Sequence, residues 1–195
     1  MESKEKNTKE KILEEALKLF AQSGYMGTSM NDIASKLGVT KAALYKHYKS
    51  KQEILDSIIE KMNELDIERV KLYEMPEGDL EKVTAEYKET AFDKIKQFTK
   101  VQFLHWTEEE FSSCFRKMLT LEQYREPQMA QLYQNYLASG PLTYMEALFS
   151  GMLGDEGKAR QTALDFYGPI FLLYSIYDGA EDKSHVIKLL EEHMD

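Results

Sequence analysis

The sequence predicts an all-α protein. A three-helix helix-turn-helix head is followed by a linker helix and a helical-bundle body, about nine helices in total. Three observations predict this. Apolar residues recur at three- and four-residue intervals along most of the chain. Only 10 Gly and 4 Pro interrupt the 195 residues. Where the rhythm breaks, Ser, Thr or Asp stands ready to cap the next helix. The expected boundaries are 1–50 for the head, with its motif at 29–48, then 51–73 for the linker helix and 74–195 for the body.

Composition bounds the function classes. Apolar residues make up 43% and charged residues 30%, enough to build a core and too apolar for a disordered chain. The longest apolar run, Ile170 to Tyr177, falls well short of the roughly 20 residues a membrane span needs. The first residues are charged and carry no apolar signal region. A single cysteine, Cys114, cannot form an internal disulfide. Together these point to a cytoplasmic protein with no membrane partner. Net charge is -9 but unevenly spread. Residues 1–52 hold 10 Lys against 6 acids, and Lys36 to Lys51 holds five Lys and no acid. A basic head on an acidic body suits a polyanion that meets the head only.

The head reads element by element. In the first helix, Thr8 to Gln22, residues Ile12, Leu13, Ala16, Leu17 and Phe20 share one stripe, and Gly24 stands at a natural stop. Ser29 with Asp32 forms a capping box for a second helix whose inner side is Met30, Ile33, Ala34 and Leu37. Gly38-Val39 makes the turn, with Val39 expected in the core beside Ile33, Ala34 and Leu44. Thr40 caps the third helix, Lys41 to His47. Ser50 and Glu53 make a further capping box. Two short helices across a tight turn form a helix-turn-helix, and the second then turns a polar face outward. That face comprises Thr40, Lys41, Ala42, Tyr45, Lys46 and His47, with no acid among them. An α-helix fits the major groove, and cations, hydroxyls and small residues are what such a helix needs there.

The runs ALKLFAQSGY (16–25), TSMNDIA (28–34) and GVTKAALYKHY (38–48), followed by Ser50-Lys51 and Ile54-Leu55, resemble the TetR/AcrR family of bacterial transcriptional regulators. The resemblance covers about a quarter of the chain, residues 8–60. Tyr48 stands where the family usually has Phe, and Ala42 where it often has Gly. The resemblance implies an all-helical homodimer with a DNA-binding head and a ligand-binding, dimerising body, usually a repressor. On the head, double-stranded operator DNA is expected to meet Thr28 or Ser29, Tyr45 and Lys51 through phosphates. Lys41 and Ala42, at the start of the recognition helix, are expected to read bases.

In the body, Ile54, Leu55, Ile58, Ile59, Met62 and Leu65 mark the linker helix, which Pro76 and Gly78 stop. Asp79 caps one long helix running to Trp106. Thr107 with Glu110 offers another capping box, and Phe111, Phe115, Met118 and Leu119 follow as a stripe. Pro127 opens a helix expected to break at Gly140-Pro141. Lys158 to Tyr177 is apolar on nearly every side, which requires burial all round or a partner subunit. Ser184 caps the last helix. The resemblance implies that the last two helices form the dimer interface, through Phe166, Ile170, Phe171, Leu172 and Leu189.

Of 22 aromatics, 18 lie beyond residue 52, as do seven of the ten Met. Adaptable Met and aromatic walls suit a pocket for an apolar or aromatic effector, although such stripes also build ordinary cores. The pocket itself rests on the resemblance. Its lining is expected from Phe98, His105, Trp106, Phe115, Met118, Tyr133 and Tyr136. Enzyme chemistry finds no support. Cys114 has no basic group or His beside it, His105 and Glu109 lack a third metal ligand, and no phosphate loop or nucleophile elbow is present. The expectation is therefore no cofactor, no metal and no enzymatic activity. The leading reading is a ligand-released repressor; the alternative is a constitutive DNA-binding protein without an effector.

Overall fold

The computed structural model describes residues 2–195, with side chains from Asn7 onward. Among the described residues there are eleven α-helices. They are α1 (Glu2–Ser23), α2 (Met30–Leu37), α3 (Lys41–His47), α4 (Lys51–Leu72), α5 (Leu80–Glu89), α6 (Phe92–Thr107), α7 (Glu110–Glu122), α8 (Pro127–Leu137), α9 (Ser139–Leu153), α10 (Glu156–Gly179) and α11 (Lys183–His193). No helix among the described residues is long and apolar enough to cross a membrane.

The chain forms two compact units, residues 1–68 with 110–131, and residues 69–109 with 132–195. This division differs from the 1–50, 51–73 and 74–195 boundaries expected of the sequence. Helix α7 packs on α1, because Phe115, Met118 and Leu119 bury completely where α1 presents its own apolar stripe.

The first unit holds the core of the head. Ala16, Leu17, Phe20, Ile33, Leu44, Ile54, Leu55 and Ile58 are almost wholly removed from water. Tyr25 sets its ring edge against Phe20 at 5.1 Å. The Ser29–Asp32 capping box forms as expected. Ser50 caps α4 by accepting from Glu53 N–H at 3.1 Å, while the Glu53 carboxylate takes the Lys49 N–H rather than that of Ser50. Val39 does not enter the core: it is 44% exposed. Its N–H is drawn back to the Ala34 carbonyl at 3.0 Å as the chain leaves the left-handed Gly38, φ 67°, and the side chain is left outside.

In the second unit, the expected long helix is two helices. Thr90 ends α5, its N–H bonding Tyr87 O and its hydroxyl donating to Glu86 O at 2.9 Å, so the backbone turns extended before α6. Thr107 is no cap. It is the last residue of α6, buried, and its hydroxyl donates back to Phe103 O at 2.8 Å. The break after α8 falls at Ala138, ahead of Gly140-Pro141, which lie inside the first turn of α9 where Pro lacks only a dispensable N–H. Asp182, not Ser184, caps α11, and the Ser184 hydroxyl donates to it at 2.6 Å. One face of α10 (Ala163, Tyr167, Ile170, Leu173, Tyr174, Tyr177) is buried within the chain. Phe103 stacks on Tyr174 at 5.3 Å and meets Tyr177 edge-on.

Phe20 is fully buried, so Phe20→Ala is expected to lower the unfolding free energy by about 3–5 kcal/mol. Tyr124→Ala, at a side chain 90% exposed, is expected to change it by under about 0.5 kcal/mol in the same urea titration.

Candidate nucleic-acid interface

Helix α3 has seven residues, and only Leu44 among them is buried. Thr40 caps it by accepting from Ala43 N–H at 3.2 Å. With Leu44 inward, Lys41, Ala42 and Lys46 are exposed, and Tyr45 and His47 lie half-buried at the edges. The Lys41 ammonium stands 5.7 Å over the Tyr45 ring. The helix carries no acid, so its exposed face is cationic and hydroxylic. Ser29 is exposed at the start of α2, where its hydroxyl and N–H both donate to Asp32 at 2.6 and 2.8 Å. Those bonds, the hydroxyl's foremost, hold the Asp32 carboxyl below its ordinary pKa.

Two expected phosphate contacts look inward instead. Thr28 is buried, and its hydroxyl donates to Gly24 O at 2.8 Å. Lys51 reaches back over the α1–α2 loop, donating to Tyr25 O at 2.5 Å and Thr28 O at 2.8 Å, with the Tyr25 ring 4.2 Å below. Those loop carbonyls have left the helix and need donors, which a lysine in the first turn of α4 can supply. Burial lowers the pKa of Lys51, and the Glu122 carboxylate opposes the shift. Sequence reasoning could not see this, because lysine at a helix start reads equally as a phosphate ligand.

The expected pocket residues do not all come together. Phe115 and Met118 are fully buried in the first unit, on the stripe of α7. Phe98, His105, Trp106, Tyr133 and Tyr136 belong to the second. There Trp106 is buried edge-on to His105 at 5.1 Å and to Tyr136 at 6.3 Å, and Phe98 leans on Tyr73 at 6.0 Å. Tyr133 is half-buried. A surface groove of about 650 Å³ beside Met75, Ala85, Glu89, Thr90 and Lys94 uses none of these residues.

Sequence reasoning missed Arg69, which is buried on α4. Its guanidinium donates to Gln102 Oε1 at 3.2 Å, meets His105 Nδ1 and lies 3.7 Å from the Glu109 carboxylate. Glu109 Oε2 is itself 2.8 Å from Nδ1. A neutral imidazole serves one of them at a time, accepting from Arg69 with its proton on Nε2 or donating to Glu109 from Nδ1. Burial is the main force pushing the His105 pKa down, to about 4; Arg69 adds to it and Glu109 opposes. The i, i+4 spacing of His105 and Glu109 was visible in the sequence, whereas Arg69 stands 36 residues before His105. Burial also pushes the Cys114 thiol pKa up, which favours its protonated form.

Of the expected interface residues, Ile170 is buried within its own chain. Phe166 is half-buried, its ring beside Phe149 and its carbonyl accepting from His193 Nε2 at 2.9 Å. Leu189 is half-buried. Phe171 and Leu172 are 39% and 59% exposed, and with Leu164 and Ile176 they form an apolar stripe on the outer side of α10.

Residues 12–58 match the family model of bacterial regulatory proteins, tetR family. Among curated proteins, the biofilm operon icaADBC HTH-type negative transcriptional regulator IcaR of Staphylococcus epidermidis is 42% identical over 52 residues, 27% of this chain and 28% of that protein. Its Staphylococcus aureus counterpart is 41% identical over 51 residues, 26% of this chain and 27% of that protein. The match thus spans about a quarter of those relatives' length. Among solved structures, a transcriptional regulator of the TerR/AcrR family from Aquifex aeolicus has a TM-score of 0.64 at 23% identity, covering 95% of this chain and 96% of that one. A regulator structure from Saccharomonospora viridis in complex with choline has a TM-score of 0.66 at 17% identity, covering 96% and 95%. AibR in complex with isovaleryl coenzyme A and operator DNA has a TM-score of 0.62 at 20% identity, covering 94% and 95%. The head is therefore a TetR-type helix-turn-helix domain, and the chain as a whole has the TetR/AcrR fold.

The low pKa of His105 has a consequence for stability. The unfolded chain takes up this proton near pH 6.5, whereas the folded one refuses it until about pH 4. Stability from this group is therefore present above 6.5 and falls as pH drops toward about 4. His105→Gln is expected to flatten the fall of the urea midpoint across that window.

Proposed function

We propose that this chain is a dimeric, sequence-specific DNA-binding transcriptional regulator. It acts as a repressor that leaves its operator when a small molecule binds the second unit. The observation that carries the reading is the acid-free outer face of α3, turned out by the single anchor Leu44. Lys41 and Ala42 read bases near the start of that helix, and Tyr45, Lys46 and Ser29 meet phosphates. The negative regulators among the relatives of the head support repression, and AibR with its operator supports DNA as the partner.

The effector is an apolar or aromatic compound held near Phe98, Trp106, Tyr133 and Tyr136, with His105 and Arg69 to fix a polar group. The choline and acyl-coenzyme A complexes of two proteins of this fold support a small-molecule site. The exposed stripe on α10 supports a twofold dimer, because an apolar surface of that kind is covered in solution. A dimer sets two recognition helices about one DNA turn, roughly 34 Å, apart. Effector binding weakens operator affinity tenfold if it favours the unbound conformation by about 1.4 kcal/mol.

The test of DNA binding is selection of duplexes from a random library by the wild-type protein, followed by salt titration on the winner. Lys46→Ala is expected to weaken binding and reduce the salt slope by about one unit. Recovery of no palindromic consensus would overturn the reading. For the dimer, Leu172→Glu places a charge in the exposed stripe and is expected to shift the sedimenting mass to that of a monomer. A variant that stays dimeric moves the interface elsewhere.

A further inference from the structure

Glu122, at the end of α7, is fully buried. Its Oε1 fills the space beside Gly24, where a Cβ would fall 2.0 Å away. Gly24 holds φ +81°, so the turn and the carboxylate both require glycine there. The other oxygen, Oε2, is buried without a hydrogen-bond partner. Arg125 lies 3.5 Å from Oε1, but its side chain is 62% exposed and its charge is shared with water. A carboxylate taken this far from water needs an inward-facing cation. Lys51 is the cation set on the same loop: Glu122 Oε1 lies against Gly24, and the Lys51 ammonium sits on the carbonyl of the next residue, so the two act on each other as charges rather than through a hydrogen bond. Its ammonium is turned into the head onto Tyr25 O and Thr28 O.

We propose that Glu122 is a positioning residue for operator binding. Its buried carboxylate holds the Lys51 ammonium over the Tyr25–Thr28 loop, and that loop fixes the start of α2, against which the recognition helix packs. The operator half of this statement rests on the DNA-binding reading above; the loop half does not. The chain of contacts is short. Thr28 is tied to Gly24 by its hydroxyl and to Lys51 by its carbonyl. Ser29, the next residue, caps α2. Helix α2 packs on α3, whose Leu44 sits in the common core. Tyr25 adds a second tie to α4, its hydroxyl donating to Gln52 Oε1 at 3.1 Å. Removing the charge of Glu122 leaves the Lys51 ammonium with the full cost of its burial and no opposing charge, so water becomes the better place for it. The Thr28 carbonyl then loses the Lys51 donor and Tyr25 O keeps only the Thr28 N–H, so the start of α2 is held less firmly.

The experiment uses the full-length protein and three variants: Glu122→Gln, which keeps shape and removes charge, Lys51→Met, which keeps the stem and removes the cation, and the double. Amide hydrogen exchange without DNA is read at residues 25–29. Exchange there is expected to quicken tenfold or more in each single variant, while the amides of α10 keep their wild-type rates. Affinity for the duplex selected by the wild-type protein is expected to fall at least tenfold, at a temperature where every variant is folded. The double variant is expected to bind no worse than Glu122→Gln alone, because both changes remove one charge–charge interaction. Unchanged exchange at residues 25–29 overturns the proposal without reference to DNA. Wild-type affinity in Glu122→Gln, or a double variant whose loss is the product of the single losses, overturns it as well. A wild-type protein that enriches no duplex overturns the DNA-binding reading, and the exchange arm then judges the Glu122–Lys51 charge interaction by itself.

Discussion

Helix α3 has one buried side chain, Leu44, with buried Tyr48 closing its end. Helix α3 is too short to be stable alone, and Leu44 is its only buried residue. Everything that lets α3 present a cationic face follows from where Leu44 is received. Phe20, Ile33, Ile54, Leu55 and Ile58, from three different helices, are buried in the same unit, and α3 packs on α2. The caps at Ser29 and Thr40 and the left-handed Gly38 then leave α2 and α3 one way to approach each other. A helix this short has few packed residues of its own, so its placement depends on α2 and on the loop contacts around Thr28 and Lys51 that hold the start of α2.

The second unit follows a different logic. It is framed by aromatic contacts, Phe103 with Tyr174 and Tyr177 and Trp106 with Tyr136. Into that frame is set a charged group, Arg69, which shares His105 and Glu109. Such a cluster is weak support for stability, since desolvation offsets much of its attraction. Under the proposed function its value is in direction: a guanidinium with fixed neighbours can orient a polar group, whereas aromatic walls alone cannot. Helix α10 gives one apolar face to its own chain and the other to the outside, which explains a composition that is apolar nearly all round.

Much of the head was legible in the sequence, because short-range rules govern it. The capping box at Ser29, the cap at Thr40, the left-handed glycine and the stripe on α1 are all read within five residues of themselves. Val39 escaped that reading because its fate is decided by the bond of its N–H to Ala34, not by its own apolar character. Lys51 and Thr28 escaped it because their partners are backbone carbonyls, which every sequence has and none announces. Beyond the head, most helices were legible, the break between α5 and α6 was not, and neither was the company each helix keeps. Phe115 and Met118 carry the stripe expected of pocket residues, yet the stripe does not say which neighbour it meets. Arg69 is ordinary in sequence and acquires its meaning only from residues more than thirty positions away.

The pairing of α7 with α1 means that the first unit is assembled from two separate stretches of chain. Its opening stretch ends at Glu68, but its second lies at 110–131, with 41 residues of the other unit between them. During synthesis, the helix-turn-helix emerges first and waits with one side of α1 uncovered until residue 131 has left the ribosome. At roughly 5–20 residues per second that interval lasts several seconds. The same connectivity constrains inheritance: a single crossover near residue 50 would graft α1 onto a stranger's α7. A crossover that kept α1 with its own α7 would have to carry residues 110–131 along with the head.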